Sequence, residues 1–309
     1  MGHTAVIGTT FVDLKGFARN TYDPQGRNLG EVKIVHGGVG RNVVENFANV
    51  GMPVSYVGML EDSAIGRDVE RHLREIGADL SHMVKAPENG IGMWLVILDE
   101  KGNQAGSISK MPDIRYLEDY LREKGEEIIS GAETVVLEVD LNEQIAEMIV
   151  GLAGKYRKPV YSIVGNLSVV LARKDLIRRT NCFICNEIEA GKYFGNPAVT
   201  GYTPEEMLAF LPEAARQEGL RAMVVTMGEK GAVYYDGDTQ QAGFCPPCET
   251  EVVDATGAGD AFFSGTVMGL IRGIELPEAV KYGAKLAAVT ISRPETNCPE
   301  NKAFFDGKD

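Results

Sequence analysis

The sequence predicts an α/β fold, with a mainly parallel central sheet flanked by helices and a small β-sheet lid beside it. Short apolar segments alternate with segments whose apolar residues recur at helical spacing, which is typical of parallel sheets covered on both faces. Two strand-like segments interrupt this alternation. Of the 309 residues, 44% are hydrophobic and 24% are charged, so the chain can bury a sizeable core and is not disordered.

Six apolar segments are candidates for strands of the central sheet. Each is short, and turn residues separate it from the helical pattern that follows. Such segments become buried strands when helices cover both faces of a sheet. They cover residues 5–8, 54–58, 134–138, 159–163, 182–185 and 222–226.

Helical periodicity lies between these strands. Apolar residues recur every three or four positions in segments 69–76, 145–152 and 207–211. The third segment follows Thr203 and Pro204, a good N-cap with proline at the first helical position. We expect these helices to cover the sheet.

Residues 9–36 and 91–111 interrupt the alternation. The first segment is polar and ends in a period-two strand at 31–35, and the second holds a strand that runs into a hairpin-like turn. We interpret both as a small β-sheet that forms a lid; a dimerisation flap and simple decoration are the alternatives. The α/β core would then comprise residues 1–8, 37–90 and 112–309.

The charge balance limits the classes of partner. The net charge of −13 argues against unaided binding to nucleic acid or to an anionic membrane. No run approaches the ~18–20 apolar residues of a membrane span, and the N-terminus enters an apolar strand without a basic leader. We therefore expect a cytoplasmic protein with a small-molecule partner. That partner can be anionic, because backbone amides at a helix N-terminus bind phosphate.

Two Cys-x-x-Cys pairs, 182/185 and 245/248, are candidates for a metal site. A zinc ribbon usually places ~15–20 residues between its pairs, far fewer than the sequence has here. The first pair lies on a predicted strand, where side chains alternate between faces, and the second encloses two prolines. We expect reduced thiols rather than a metal site.

The segment 252–265 carries the strongest chemical signal. A β-like approach ends at Asp254, and a glycine-rich turn at 257–259 then opens a helix. Successive N–H groups at the positive end of a helix form an anion pocket. A carboxylate beside that pocket, Asp260, suits a general base that takes the proton of a hydroxyl attacking a phosphoryl group. A helix-capping role for Asp260 is the alternative.

A second glycine-rich segment precedes a predicted helix that ends at Gly51. Gly37, Gly38 and Gly40 permit a bend and the close approach of a ligand. Asn42, in the first helical turn, can hydrogen-bond a neutral polyol; a plain hinge between lid and core is the alternative. The chain contains no P-loop motif, and its dinucleotide fingerprint lacks the third glycine, which argues against a Rossmann dehydrogenase.

These two segments resemble the two signatures of the ribokinase-like (PfkB) family of carbohydrate and nucleoside kinases. The resemblance spans essentially the whole chain. It implies a ribokinase-like fold and ATP- and Mg²⁺-dependent phosphorylation of a primary hydroxyl on a sugar or nucleoside. It leaves open a requirement for a monovalent cation such as K⁺. The matching segments are 37–42, 254–260, an Asn-x-x-Glu at 186–189, and 226–231.

The resemblance implies a role for each matching residue. Catalysis would use Asp260 as base and the amides of Gly257, Ala258 and Gly259 as phosphoryl stabilisers. The sugar hydroxyls would bind Asp13, Gly38, Asn42 and Asp254. The nucleotide would bind Asn186, Thr226, Gly228, Gly231 and, near the adenine, Asn297. Asn186 and Glu189 would hold Mg²⁺ through water.

Within the family the sequence is most similar to pseudouridine kinases. Two segments carry this similarity: residues 29–42, which contain the lid strand and the motif Gly-Gly-Val-Gly-Arg-Asn, and residues 98–111, which contain the second lid hairpin. It departs from them at Leu29 and over 161–168. The resemblance implies phosphorylation of pseudouridine to pseudouridine 5′-phosphate. A free sugar such as ribose or fructose, or another nucleoside, is the alternative acceptor, and a non-catalytic sugar- or nucleoside-binding regulator is the alternative class. A homodimer through the lid is a further expectation, because small sheets expose edges.

Overall fold

The structure is a computed structural model that describes residues 2–306. Within that part of the chain it has fourteen strands and ten α-helices. The strands are β1 (Thr4–Ile7), β2 (Phe11–Ala18), β3 (Gly30–Gly37), β4 (Val54–Val57), β5 (Met59–Glu61), β6 (Val84–Ala86), β7 (Gly92–Leu98), β8 (Gln104–Lys110), β9 (Thr134–Glu138), β10 (Val160–Ile163), β11 (Cys182–Asn186), β12 (Ala222–Thr226), β13 (Ala232–Asp236) and β14 (Gln241–Cys245). The helices are α1 (Val39–Asn49), α2 (Ala64–Glu75), α3 (Arg115–Gly131), α4 (Glu143–Tyr156), α5 (Ser168–Ala172), α6 (Lys174–Ile177), α7 (Glu187–Phe194), α8 (Pro204–Gln217), α9 (Ala258–Ile271) and α10 (Leu276–Ile291).

An eight-stranded central sheet has the order β14-β13-β12-β11-β10-β9-β1-β4. The six strands from β12 to β4 are parallel, and β13 and β14 add an antiparallel edge. Every residue of β1, β4, β9 and β10 is buried, as expected for parallel strands covered on both faces. The predicted mainly parallel sheet flanked by helices is confirmed, and each of the six predicted strands lies within one residue of its predicted bounds.

A separate four-stranded sheet has the order β3-β2-β7-β8. Its strands all lie within residues 11–37 and 92–110. β2 pairs antiparallel with β3 and parallel with β7, and β7 pairs antiparallel with β8. The small second sheet that the sequence predicts is therefore present. Its role as a lid over the remaining residues stays a prediction.

The register of this sheet separates its two faces. Alternate residues of each strand point to opposite sides, and residues paired across strands share a side. The face that carries the polar residues contains the row Val35, Asp13, Trp94, Ser109. The opposite face contains the apolar row Ile34, Leu14, Leu95, Ile108.

Two layers of helices enclose the central sheet, and the closest helix pair is α9 with α10. A Cβ atom at Gly283 would lie 2.6 Å from the carbonyl oxygen of Phe262, and one at Gly265 would lie 2.5 Å from that of Tyr282. Only glycine permits this approach. The contact fixes α9 firmly, and the N-terminus of α9 carries Asp260.

The predicted β-like approach to Asp254 is wrong. Residues 252–254 form no strand, and the side chains of Val252 and Val253 are exposed. Their backbone is instead tied to the end of α10, since the amides of Val253 and Asp254 donate to the carbonyl of Ile291 at 2.8 and 3.2 Å. An apolar pair of valines thus lies in a loop, where the pattern alone predicts a strand.

Two further expectations concern metals and membranes. All five cysteines are free thiols, and residues 2–306 contain no cluster of three His, Cys, Asp or Glu side chains suited to a metal ion. None of the helices described is long and apolar enough to cross a bilayer.

Candidate active site

Two helix N-termini meet beside the carboxyl end of β1. Gly38 precedes α1 with φ of 100°, and Gly257 precedes α9 with φ of 83°. A Cβ atom at Gly38 would lie 2.5 Å from the carbonyl oxygen of Thr9, and one at Gly257 would lie 2.1 Å from that of Thr296. Both positions therefore require glycine, for its conformation and for its lack of a side chain.

These N-termini bring the two predicted signatures together. Asn42 in the first turn of α1 donates from Nδ2 to Oδ2 of Asp260 in the first turn of α9, at 2.6 Å. Helix α9 offers a base beside the positive end of its dipole, and α1 offers an amide that holds the base. The helix N-cap is Gly257, so the capping alternative for Asp260 is not what the structure shows.

Burial raises the pKa of Asp260 to about 7. The hydrogen bond from Asn42 and the charge of Arg41 favour the carboxylate, whereas the nearby Glu138 and Glu189 disfavour it. Desolvation is the largest of these effects, so the pKa of Asp260 is raised. A carboxyl group that titrates near neutral pH can both accept and release a proton, which is the property a general base needs.

Arg41 is almost fully buried and fixes the orientation of Asn42. Its guanidinium donates to Oδ1 of Asn42, so the amide of Asn42 must turn its NH₂ group toward Asp260. Arg41 also donates to Asn297 Oδ1 at 2.9 Å, to Thr296 Oγ1 at 3.2 Å and to the carbonyl of Gly37 at 3.2 Å. Arg41 was not assigned to the site from the sequence, although its position next to Asn42 in the glycine-rich segment was an available signal.

The start of α9 presents unpaired backbone amides. Within residues 2–306, the amides of Gly257, Gly259 and Asp260 donate to no other residue, whereas that of Ala258 donates to the carbonyl of Ala255 at 3.2 Å. A Cβ atom at Gly259 would meet nothing within 4 Å, so space is open there. Two of the three predicted phosphoryl-stabilising amides are thus available, and the amide of Asp260 joins them.

Asp13 lies on β2 at the edge of the same site. It is buried, and Cβ of any residue other than glycine at position 37 would lie 2.9 Å from its carboxylate oxygens. Burial raises the pKa of Asp13, against the opposing charges of Lys15 and Arg41. Gly37 therefore makes room for a carboxylate that faces the start of α1.

Lys15 connects the small sheet to the loop before α9. Its buried ammonium lies 3.1 Å from Oδ2 of Asp254 and 3.3 Å from Oγ1 of Thr256. Burial opposes the ionisation of Asp254, but hydrogen bonds from Thr256 and Lys15 outweigh it and lower the pKa. The sequence analysis missed Lys15; its position two residues after Asp13, on the same face of a strand, was the available signal.

The residues predicted to bind the nucleotide lie at the ends of β11 and β12. Asn186 and Thr226 occupy paired positions on these neighbouring strands. Tight turns follow Thr226, with φ of 57° at Gly228 and 94° at Gly231. A Cβ atom at Gly231 would lie 2.3 Å from the carbonyl oxygen of Cys245, which explains the glycine there.

Asn186 and Glu189 form the capping box of α7. Oδ1 of Asn186 accepts from the amide of Glu189, and Oε2 of Glu189 accepts from the amide of Asn186, both at 2.9 Å. Burial raises the pKa of Glu189. The second carboxylate oxygen stays available for a water ligand. This donor set suits Mg²⁺, which retains most of its waters and binds proteins through one or two carboxylates.

Asn297 contacts Arg41 and Asn42. It is buried, its Oδ1 accepts from Arg41, and its Nδ2 donates to the carbonyl of Asn42 at 3.1 Å. These bonds use both ends of its side-chain amide. They give Asn297 a positioning role toward Asn42, and its predicted contact with adenine stays a prediction.

Two buried carboxylates support the site and were missed by the sequence analysis. Glu138, at the end of β9, accepts from the amides of Thr9 and Gly40 at 2.7 and 3.2 Å. Asp140 accepts from backbone amides of the 165–169 loop at 2.9 to 3.2 Å. Their partners are distant in sequence, so no local pattern indicates this role.

Comparison with known proteins agrees with this geometry. The model of the pfkB carbohydrate kinase family matches residues 1–303. Guanosine-inosine kinase from Exiguobacterium acetylicum is 34% identical over 96% of this chain and 96% of that protein. Pseudouridine kinase from Escherichia coli (strain K12) is 25% identical over 96% and 93%. The structure of Arabidopsis thaliana ribokinase with ribose and ATP has a TM-score of 0.84 at 20% identity, over 99% of this chain and 98% of that one, which confirms the ribokinase-like fold. The chain is therefore a kinase that belongs to the PfkB family of carbohydrate kinases.

Proposed function

We propose that this protein phosphorylates the primary 5′-hydroxyl of a nucleoside with ATP and Mg²⁺. The observation that carries the proposal is the placement of Asp260, with its pKa near 7, beside Asn42 and the unpaired amides of α9. A binding protein has no use for a base beside an anion pocket. This argues for catalysis over a regulatory role.

We infer that a purine nucleoside is the preferred acceptor. The 34% identity to guanosine-inosine kinase extends over almost the full length of both chains and exceeds the 25% identity to pseudouridine kinase. Pseudouridine, the acceptor implied by the sequence resemblance, is the second candidate. Free ribose is the third candidate, because a ribokinase shares the fold.

In the proposed reaction, Asp260 accepts the proton of the acceptor hydroxyl. The hydroxyl oxygen forms a bond to the γ-phosphorus of ATP as the bond between that phosphorus and the β–γ bridging oxygen breaks, which releases ADP. Asn42 holds the carboxylate in place. The amides of Gly257, Gly259 and Asp260 stabilise the charge on the transferring group.

Asn186 and Glu189 would hold Mg²⁺ through water, next to the nucleotide turns at Thr226, Gly228 and Gly231. The ion supplies charge neutralisation on the triphosphate. The protein contributes orientation, because Asn186 and Thr226 are fixed on paired strands. Asp13 and Gly38 would hold the sugar hydroxyls from the other side, and Asp254 would support them through its bond to Lys15. Closure of the small sheet would exclude water and so prevent wasteful ATP hydrolysis.

A substrate panel tests this proposal. ADP release from ATP·Mg²⁺ is measured with inosine, guanosine, adenosine, uridine, pseudouridine, ribose and fructose. We expect the highest kcat/KM with inosine or guanosine. A preference for pseudouridine or ribose by more than ten-fold would retain the kinase mechanism and reject the purine assignment. Absence of turnover with every acceptor, with ATP binding intact, would contradict the proposal.

A further inference from the structure

Trp94 lies on the face of the small sheet that borders the candidate site. It occupies β7 at the position paired with Asp13 on β2. The side of β2 on which Asp13 lies is fixed by contacts, because Lys15, two residues on, reaches Asp254 in the loop before α9. Register and alternation therefore place the indole on the substrate side, next to the carboxylate proposed to hold the sugar.

The indole of Trp94 forms neither a hydrogen bond nor a ring-stacking contact with residues 2–306. Trp94 is half-buried, and its indole N–H donates to no residue within 2–306. The ring contacts recorded among those residues pair other aromatic side chains with each other, so no ring stacks on Trp94. Its ring is therefore available to stack on a ligand in the neighbouring polar site.

We propose that Trp94 stacks on the base of the nucleoside and selects a nucleoside over a free sugar. β2 and β7 are parallel neighbours, and neighbouring strands lie about 4.8 Å apart, so the indole is within reach of a ligand that Asp13 holds. A ribose held by Asp13 carries its base at C1′, and a base that extends along the same face would meet Trp94. The flat indole offers a large aromatic surface to a purine and a smaller contact to a sugar. This inference rests on the proposed function and names the residue that determines its acceptor class.

The chain has a single tryptophan, so its fluorescence reports on this position alone. Inosine and ribose are titrated separately into the protein without ATP, with excitation at the red edge of tryptophan absorption, where inosine is transparent. We expect inosine to quench the emission in a saturable manner and ribose to leave it almost unchanged.

Variants separate stacking from a structural effect. Loss of a stacked aromatic ring corresponds to an increase of about 5- to 100-fold in KM for inosine. Trp94→Ala should show this increase with little change in KM for ATP, and Trp94→Phe should restore much of the affinity. Leu95→Ala is the matched control, because Leu95 is the next residue on the same strand and its exposed side chain lies on the opposite face.

The outcomes distinguish this inference from the proposed function. Inosine turnover without quenching, and with an unchanged KM in Trp94→Ala, would overturn the stacking role and leave the kinase assignment supported. Saturable quenching without turnover of any nucleoside would support stacking and contradict the proposed function. Neither quenching nor turnover with inosine or guanosine would overturn both. An equal loss in Leu95→Ala would indicate a structural effect on the strand and would also overturn the inference.

Discussion

At the scale of single residues, the site depends on how the fold controls the charge of one carboxyl group. Asp260 is desolvated at the start of α9, where Glu138 and Glu189 add negative charge nearby. Asn42 counteracts this with a hydrogen bond, and Arg41 fixes Asn42. The balance leaves the carboxyl group partly protonated at neutral pH, so catalysis should depend on pH in that range.

We predict that kcat/KM for the nucleoside rises with pH, with an apparent pKa of about 7, and levels off above it. The physical reason is that only the deprotonated form of Asp260 can accept the hydroxyl proton. The rates are measured at saturating ATP·Mg²⁺, so that titration of the nucleotide does not contribute. A profile that is flat between about pH 5 and 8 would show that Asp260 is not the titrating base.

The same shift predicts a stability difference for Asp260→Asn. A carboxyl group whose pKa is higher in the folded chain than its ordinary value of 3.8 stabilises the fold at low pH and loses that contribution as pH rises through about 7. The amide avoids this loss. We expect Asp260→Asn to have the higher Tm at about pH 8, by several degrees, and the difference to vanish near pH 4. Thermal unfolding of both proteins across this pH range tests the prediction. A Tm difference that does not change with pH would contradict the raised pKa of Asp260.

At the scale of secondary-structure elements, a partly buried ion pair connects the small sheet to the loop before α9, with the Lys15 side chain 8% exposed and the Asp254 side chain 33% exposed. Lys15 on β2 contacts Asp254 in the loop before α9, so the sheet and the anion pocket are held together. The pair is well placed to keep Asp13 facing the start of α1. Removing Lys15 leaves the half-buried carboxylate of Asp254 without its cation, which costs more than losing a fully exposed pair.

We predict that Lys15→Met raises KM for the nucleoside about ten-fold, lowers Tm by a few degrees and leaves KM for ATP nearly unchanged. Lys33→Met is the matched control. Lys33 is paired with Lys15 on the neighbouring strand, but it is exposed, and within residues 2–306 its ammonium forms no ion pair and lies over the ring of Phe17. Equal effects in both variants would indicate a general loss of charge on the sheet rather than the loss of a specific ion pair.

Sequence patterns predicted the elements well where burial is uniform. The strands at 134–138 and 222–226 have the bounds that their apolar runs indicate. Residues 252–254 were mispredicted, because two exposed valines in a loop give the same pattern as a strand. The roles of the supporting residues could not be predicted from the sequence either. Arg41, for example, binds Thr296 and Asn297, which are distant in sequence and come close only when the chain folds.

At the scale of the whole molecule, the small sheet has one face toward the site and an apolar face toward solvent. On that outer face the side chains of Ile34, Leu95 and Ile108 are 61%, 39% and 69% exposed. They lie in one row across the strands, so the exposed surface is contiguous. A contiguous apolar face on a small sheet, with two open edge strands, favours association.

We predict that a second copy of the chain covers this face in a two-fold symmetric homodimer. Ile34→Lys together with Ile108→Lys should convert the dimer to a monomer in light scattering. Leu171→Lys, an exposed leucine on α5, is the control and should leave the dimer intact. A wild-type monomer at micromolar concentration would contradict this prediction.

In the proposed reaction, Asp260 takes the proton from the acceptor hydroxyl. The most direct test is kcat of Asp260→Asn with inosine and ATP·Mg²⁺, with nucleoside binding followed separately by Trp94 fluorescence. We predict a decrease in kcat of about 10²- to 10⁴-fold, the usual contribution of a general base, with inosine affinity preserved within a few-fold. A variant that binds inosine and retains kcat within ten-fold of wild type would contradict the claim.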